Sequence, residues 1–406
     1  MKKTNHNFIL ISFLVLLANT AFANVKLASI FSDHMVLQAD KTIVVWGTAD
    51  IAELVTVEIN GFKAISRTTI NRKWKVELPA MKYGGPYELK VSGDNIVVLK
   101  NVMIGEVWLC AGQSNMRMTV KGVSNAKEEM AQADYKNIRF LTIPNSGNTE
   151  PQNTVNASWE VCSPKSIASK TAVGYFFGRE LNTELNVAIG LIDVSYGGAT
   201  IFTFMDESTV EKTIDTATFN GVQKQRWDAY KARVENWEIN DRHNKRPSFS
   251  PQHFSTLCYN AMVHPIVPFA NRGAIWYQGE SNASEPEKYV TWFGDYISMM
   301  REKFNNAEMP LYFVQLAGFE NQLPPETWAK FRLGQEQCMK YPNTGMAAAL
   351  DIGMKDNIHP KNKQEVGRRL ALNALNQTYG KTDVAYRGPQ LKFIYQKERQ
   401  DFNTDL

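Results

Sequence analysis

The chain has 406 residues, 44% hydrophobic and 21% charged, with a formal net charge of +4 at pH 7. That length carries a sizeable core and predicts two domains. The small net charge and the lack of a polybasic run exclude an electrostatic nucleic-acid binder, so no nucleic-acid partner is expected.

Lys2 and Lys3 precede the apolar run Phe8 to Leu17, and Ala21-Phe-Ala23 has the small residues of a cleavage site. The run is too short to span a bilayer and no second long apolar stretch follows. Residues 1–23 therefore read as a secretory signal peptide, with a mature chain starting near Asn24 that is periplasmic or secreted. From Val25 to Asn101 the pattern is short strands and turns: Thr42 to Trp46, Val55 to Ile59, Trp74 to Leu78, Tyr87 to Val91 and Ile96 to Leu99. Asn60-Gly61, Gly84-Gly-Pro86 and Gly93-Asp-Asn95 supply the turn chemistry. Residues 24–101 are predicted to form a small N-terminal β-sandwich domain.

After Gly105 the rhythm becomes strand, loop, helix. Val107 to Ala111 is a buried strand that runs into Gly112-Gln-Ser114. Val173, Phe177, Leu181 and Leu185 make a helical stripe over 171–185, followed by a strand from Val187 to Val194. Trp227, Tyr230, Val234 and Trp237 indicate a helix within the polar region 206–252. Ala274 to Tyr277 is a strand; a helix near Glu287 to Phe304 precedes the strand Leu311 to Leu316. Met346 to Leu350 is the last strand, and Lys363 to Gln377 a helix with Val366, Leu370 and Leu375 inward. Strands alternating with helices predict an α/β fold over 102–392, a parallel sheet flanked by helices. Residues 393–406 form a polar tail. The four cysteines, Cys110, Cys162, Cys258 and Cys338, show no paired spacing. They read as buried free thiols, and no metal site or cofactor is expected.

Four strand ends carry unusual polar loops: Gly112-Gln-Ser114, Gly197-Gly198, Gln278-Gly-Glu280 and Asp356-Asn-Ile-His359. In a parallel sheet these fall on one edge, where ligand crevices form. A serine hydroxyl needs a base, and the base an orienting partner. Of six histidines, His359 alone sits in a strand-end loop with a nearby carboxylate, Asp356. Ser114, His359 and Asp356 are therefore the candidate nucleophile, base and orienting acid. An acyl-transfer oxyanion needs donors. The Ser114 N–H, the N–H of Gly198 or else Gly197, and the amide of Gln278, with Asn282 as rival, are the candidates.

The Gly112-Gln-Ser-Asn-Met116 block resembles the first block of the SGNH hydrolase superfamily, in its sialate O-acetylesterase-like branch. Leu27 to Gln38, Gly105-Glu-Val-Trp-Leu109, Tyr196-Gly-Gly198, Leu257 to Met262, Trp276 to Asn282 and Ile358-His-Pro-Lys361 extend the likeness from about Val25 to Lys392. The resemblance implies an SGNH-type, flavodoxin-like parallel sheet behind an N-terminal β domain. It also implies a metal-free exported esterase that removes O-acetyl groups from sugars, sialic acid foremost. Acetylated xylan and a catalytically inactive sugar-binding relative are the alternatives. Arg117, three residues after Ser114, would meet a sialic-acid carboxylate, with Glu280 and Asn282 as further substrate contacts. The chain departs from the wider pattern in two places. Block three is Gln278-Gly-Glu-Ser-Asn282 rather than Gly-x-Asn-Asp. In the last block Asn357 precedes Ile-His-Pro, so Asp351 is a substitute for Asp356 and a Ser–His dyad is conceivable. Longer members of the branch continue into further β structure where this chain has its tail, which reads as a truncated C-terminal β region.

Overall fold

The structure, a computed structural model, describes residues 24–320 and 323–388. The expected signal peptide and the 393–406 tail lie outside the described residues. One strand organises the rest. Strand β1 (Ile96–Gly112) is 17 residues long. Its first residues alternate between exposed and part-buried, and from Ile104 onward every residue is buried. The sequence explains the change: Val107 to Ala111 is a continuous apolar run, the composition of a strand covered on both faces. The outer half pairs with Gly84–Ser92 and with Val36–Gln38. The inner half enters the parallel sheet.

That sheet adds β2 (Ile138–Thr142), β3 (Trp159–Val161), β4 (Ile189–Asp193), β5 (Gly273–Tyr277), β6 (Leu311–Val314) and β7 (Thr344–Ala347). The spatial order is β3-β2-β4-β1-β5-β6-β7. Every pairing on this path is parallel except that of β3, which runs antiparallel to β2. The helices are α1 (Ala172–Leu185), α2 (Thr216–Asn240), α3 (Pro286–Lys303), α4 (Pro325–Gln337) and α5 (Lys363–Gln377). Helices α1 and α5 share one apolar cluster with Trp108 and Tyr312, through Val173, Phe177, Leu181, Val366 and Leu370. Trp276, Phe293 and Phe313 belong to the second cluster, which α3 and α4 cover. Thr171 caps α1 by accepting the Gly174 N–H, and Asn362 caps α5 by accepting that of Glu365; each satisfies a donor the helix cannot.

In the N-terminal region Lys26–Leu27, Ile43–Thr48 and Lys73–Leu78 form a three-stranded sheet. Leu54–Ile59, Phe62–Arg67 and Gly84–Ser92 form a second group that joins β1 and so continues into the main sheet. The expected boundary between 101 and 102 thus falls inside β1. Asn60 and Gly61 have φ of 48° and 80°, the conformation of a two-residue hairpin turn. Phe62–Arg67 is its second arm, which the apolar pattern does not flag because most of its residues are exposed. All four cysteines are free and buried.

Glu106 is fully buried where β1 passes from one half to the other. Arg272 grips it with two bonds, Nε to Oε2 at 2.6 Å and Nη2 to Oε1 at 2.8 Å. Tyr83 and Tyr379 donate their hydroxyls to the same carboxylate at 2.7 and 2.9 Å. Removing one partner of a buried ion pair leaves the other uncompensated. Glu106→Ala should therefore lower the unfolding free energy by about 3–5 kcal/mol, measured by urea denaturation. An unchanged curve would show that this carboxylate does not hold the halves together.

Candidate active site

Gly112 ends β1 at φ +132°, and a Cβ there would lie 2.2 Å from the Tyr277 carbonyl oxygen, so only glycine fits. Gln113 is buried and donates its N–H to that same oxygen at 2.9 Å. Its Oε1 accepts the N–H groups of Gly279 and Ser281, both at 3.3 Å. These bonds hold the loop after β1 against the loop after β5. Half-buried Ser114 follows, as first residue of a single helical turn, Ser114–Arg117.

The Nε2 of His359 lies 2.7 Å from Ser114 Oγ, a hydrogen-bond distance. The histidine turn is fixed through its backbone. Asn357 Oδ1 accepts the His359 N–H at 2.9 Å, and the Ile358 carbonyl accepts a bond from Asn115 Nδ2 at 2.9 Å. Burial first, and the Lys363 charge second, hold the imidazole below its ordinary pKa of 6.5.

The expected orienting acid is not on the ring. Asp356 is exposed, and among the described residues it makes no hydrogen bond to His359. The Met354–Asn357 turn presents Asn357 inward in its place. Asp351 is held by Arg369 through two bonds of 2.7 Å. In this arrangement Ser114 and His359 stand as a pair.

Gly197 faces the serine: a Cβ there would lie 3.8 Å from Ser114 Cβ. Gly198 has φ +72°, and Ser281 Oγ donates to its carbonyl at 3.0 Å. Among the described residues neither the Ser114 nor the Gly198 N–H has a hydrogen-bond acceptor. Gln278 sits elsewhere than expected. It is fully buried, and its Nε2 donates to Ala199 O at 3.1 Å and to Asn282 Oδ1 at 2.7 Å. An amide has two N–H groups, so none is left for a substrate oxygen. Asn282 is buried too, its Oδ1 taken by Gln278 and by the Ile201 N–H. Arg117 bonds Asp193 at 3.0 Å, because that fully buried carboxylate needs a counter-charge. Glu280 Oε1 accepts from Asn115 at 2.6 Å, inside the protein rather than toward solvent.

The sequence reading passed over Asn115, Lys363, Gln113 and His253. Adjacency to Ser114 was the available signal for the first and third; Lys363 has none, since a lysine opening a helix is ordinarily exposed. A group that could hold a metal ion, Asp50, Glu53 and Asp94, lies in the N-terminal strands. There Arg72 pairs Asp50, and Glu53 accepts the N–H groups of Asp50 and Asp94.

Comparison with known proteins agrees with this geometry. The model of the carbohydrate esterase family "sialic acid-specific acetylesterase" matches residues 104–229 and 236–376. The chain belongs to this family. It is 30% identical to the sialate O-acetylesterase of Mus musculus over 91% of this chain and 76% of that protein. It is also 30% identical to the Homo sapiens sialate O-acetylesterase, over 90% and 73%. A carbohydrate acetylesterase from Xanthomonas citri has a similar structure, with a TM-score of 0.78 and 32% identity over 90% of this chain and 77% of that one.

In this acetylesterase-family chain a cleft of about 490 Å³ opens beside Gly198 and Ser281. Tyr230, Phe249 and Phe254 supply rings, Arg226 and Arg233 supply charge, and no carboxylate lines it. Arg226 donates to the His253 carbonyl. Among the described residues Arg233 makes no ion pair or hydrogen bond. His253 Nε2 stands 3.6 Å from where a Gly198 Cβ would be. The imidazole of His359 should titrate below 6.5 by NMR, because burial and Lys363 both disfavour its charged form. A value at or above 6.5 would contradict the buried, cation-flanked placement.

Proposed function

We propose that the protein is an exported carbohydrate O-acetylesterase that acts by a serine acyl-enzyme mechanism on O-acetylated sialic acid. The 2.7 Å contact between Ser114 Oγ and His359 Nε2 carries the mechanistic part. Ser114 Oγ attacks the acetyl carbonyl while its proton passes to His359. The N–H groups of Ser114 and Gly198, both lacking a protein acceptor, receive the developing oxyanion. The bond to the sugar oxygen breaks as His359 returns the proton to it. Water, deprotonated by His359, then adds to the acetyl-serine carbonyl. Acetate leaves, and the proton returns to Ser114. No step calls on a metal. Asp356 is three residues from His359, and its orienting role becomes a proposal in which the exposed side chain turns toward the ring. The dyad is the arrangement the described coordinates support.

The family and its sialate O-acetylesterase relatives support the sugar ester as substrate. The acidic sugar is supported by the cleft beside Gly198, with two guanidinium groups and no carboxylate. Arg233 replaces Arg117 as its proposed reader, since Arg117 is engaged by Asp193. Acetylated xylan is the second reading, favoured by the rings of Tyr230, Phe249 and Phe254, which would stack on neutral sugars. Export is supported by the Lys2-Lys3 and Phe8 to Leu17 pattern. An SGNH-type core behind an N-terminal β-sandwich is supported by the order of the parallel strands and by the two strand groups before β1.

Acetate release from an aryl acetate, O-acetylated sialic acid and acetylated xylan tests the proposal, wild type beside Ser114→Ala. The variant should lose activity by about 10⁴-fold or more, and a folded wild type inert on all three would overturn the esterase reading in favour of a sugar-binding relative. Arg233→Gln should lower the sialate-to-xylan ratio of kcat/KM about tenfold, the worth of one charge-assisted contact. An unchanged ratio would remove the arginine cleft from substrate choice.

A further inference from the structure

Behind Ser114 lie two ionisable groups that water ordinarily keeps charged. Lys363 is fully buried as the first residue of α5. A helix N-terminus disfavours a cation, and burial disfavours it further. Lys363 Nζ donates to Asn115 Oδ1 at 2.5 Å and stands 5.1 Å from the centroid of the Tyr277 ring. The amide of the same Asn115 donates to Glu280 Oε1 at 2.6 Å and to the Ile358 carbonyl at 2.9 Å. One side chain, next to the serine in sequence, therefore joins the loop after β1, the loop after β5, the His359 turn and α5. Glu280 Oε2 and the Tyr277 hydroxyl are buried without a hydrogen-bond partner. The lysine and the carboxylate are linked through the amide rather than to each other.

We propose that Asn115, Lys363 and Glu280 form a buried clamp that positions the Ser114–His359 pair, and that Lys363 sets the proton affinity of His359. The proposal rests on the serine-esterase reading above. The ionisable groups facing Lys363 are Glu280 from the loop after β5, Tyr277 from β5 itself and His359 from the turn before α5. Those facing His359 are Lys363 and the Ser114 hydroxyl. Burial pushes the lysine down to about 7, with the Glu280 charge opposing. A charged Lys363 lowers the pKa of His359, so its removal raises that pKa. Loss of the Glu280 charge lets Lys363 discharge at lower pH, which acts on His359 in the same direction. A purely structural network would change stability and leave the histidine's titration where it is.

The test is kcat and KM against pH, with melting temperatures, for wild type, Asn115→Ala, Lys363→Met, Lys363→Arg and the near-isosteric Glu280→Gln. In Lys363→Met and Glu280→Gln the acid limb of kcat/KM should move to higher pH; in Lys363→Arg, which keeps the charge, it should stay near the wild-type position. Asn115→Ala should lose kcat about tenfold or more with a much smaller change in KM, the mark of misplaced reacting groups. An acid limb unmoved in both charge variants overturns the proposal. So does failure of every variant to fold, since the network would then serve the fold alone. If the wild type turns over no acetyl ester, it is the esterase reading that fails. NMR titration of His359 in wild type and Lys363→Met then still decides the clamp, with an upward shift in the variant supporting it and no shift overturning it.

Discussion

The buried carboxylate of Glu106 is the interaction on which the remaining geometry hangs. It stands in the middle of β1, and its two oxygens receive Arg272, Tyr83 and Tyr379 from three different parts of the chain. A charge out of water demands such a set of donors, and the donors can meet it only when β1 lies in one register. A shift by one residue would turn every side chain of the strand to its other face. The register carries forward. Six residues beyond Glu106, Gly112 meets the Tyr277 carbonyl too closely for any side chain, and Ser114 emerges from the turn that follows. The place of the serine is thus a consequence of how a carboxylate on the same strand is satisfied.

The charge around the imidazole is arranged in an unusual way for a serine–histidine site. An orienting carboxylate does two things: it fixes the ring and it stabilises the imidazolium. Here backbone bonds take over the first task, from Asn357 Oδ1 to the His359 N–H and from Asn115 to the Ile358 carbonyl. They cannot do the second. Burial and Lys363 both act against the charged ring. The resting histidine is therefore held neutral and able to accept a proton, at the cost of being a weaker base than an ordinary imidazole. Stabilisation of the charge that forms in the reaction must fall on the oxyanion side, where the Ser114 and Gly198 N–H groups are free of protein acceptors.

Much of this was legible in the sequence because hydrophobic period reports burial directly. The strands at 107–111 and 274–277 and the helices at 171–185 and 363–377 follow from it, and so does the convergence of four loops on one sheet edge. Ser114 and His359 were found because strand ends and residue type suffice to identify them. The strand Ile138–Thr142 was not, since Arg139 interrupts its apolar run. That arginine is buried and satisfied by the carbonyls of His34, Asn101 and Lys136, partners remote or irregular in sequence. The supporting residues failed for a related reason. Asp356, Gln278 and Arg117 were chosen by proximity and residue type, but a polar side chain goes to the nearest unsatisfied partner. Gln278 found Ala199 and Asn282, and Arg117 found Asp193. Which partner is nearest is a property of the tertiary structure.

The cations near the site also divide by depth, and this separates binding from proton transfer. A substrate carboxylate calls for positive charge, yet positive charge close to His359 lowers its basicity. Arg226 and Arg233 are exposed on α2, across Gly198 from the serine, where water and salt screen them within about 10 Å at ordinary ionic strength. They can draw an anionic sugar into the cleft with little effect on the ring. Lys363 is buried, so its field is screened far less. Helix α2, polar over most of its length, supplies the first kind of charge from the rim, and α5 supplies the second from beneath the serine. Substrate recognition and the pKa of the base can therefore change independently, because they depend on cations in different dielectric surroundings.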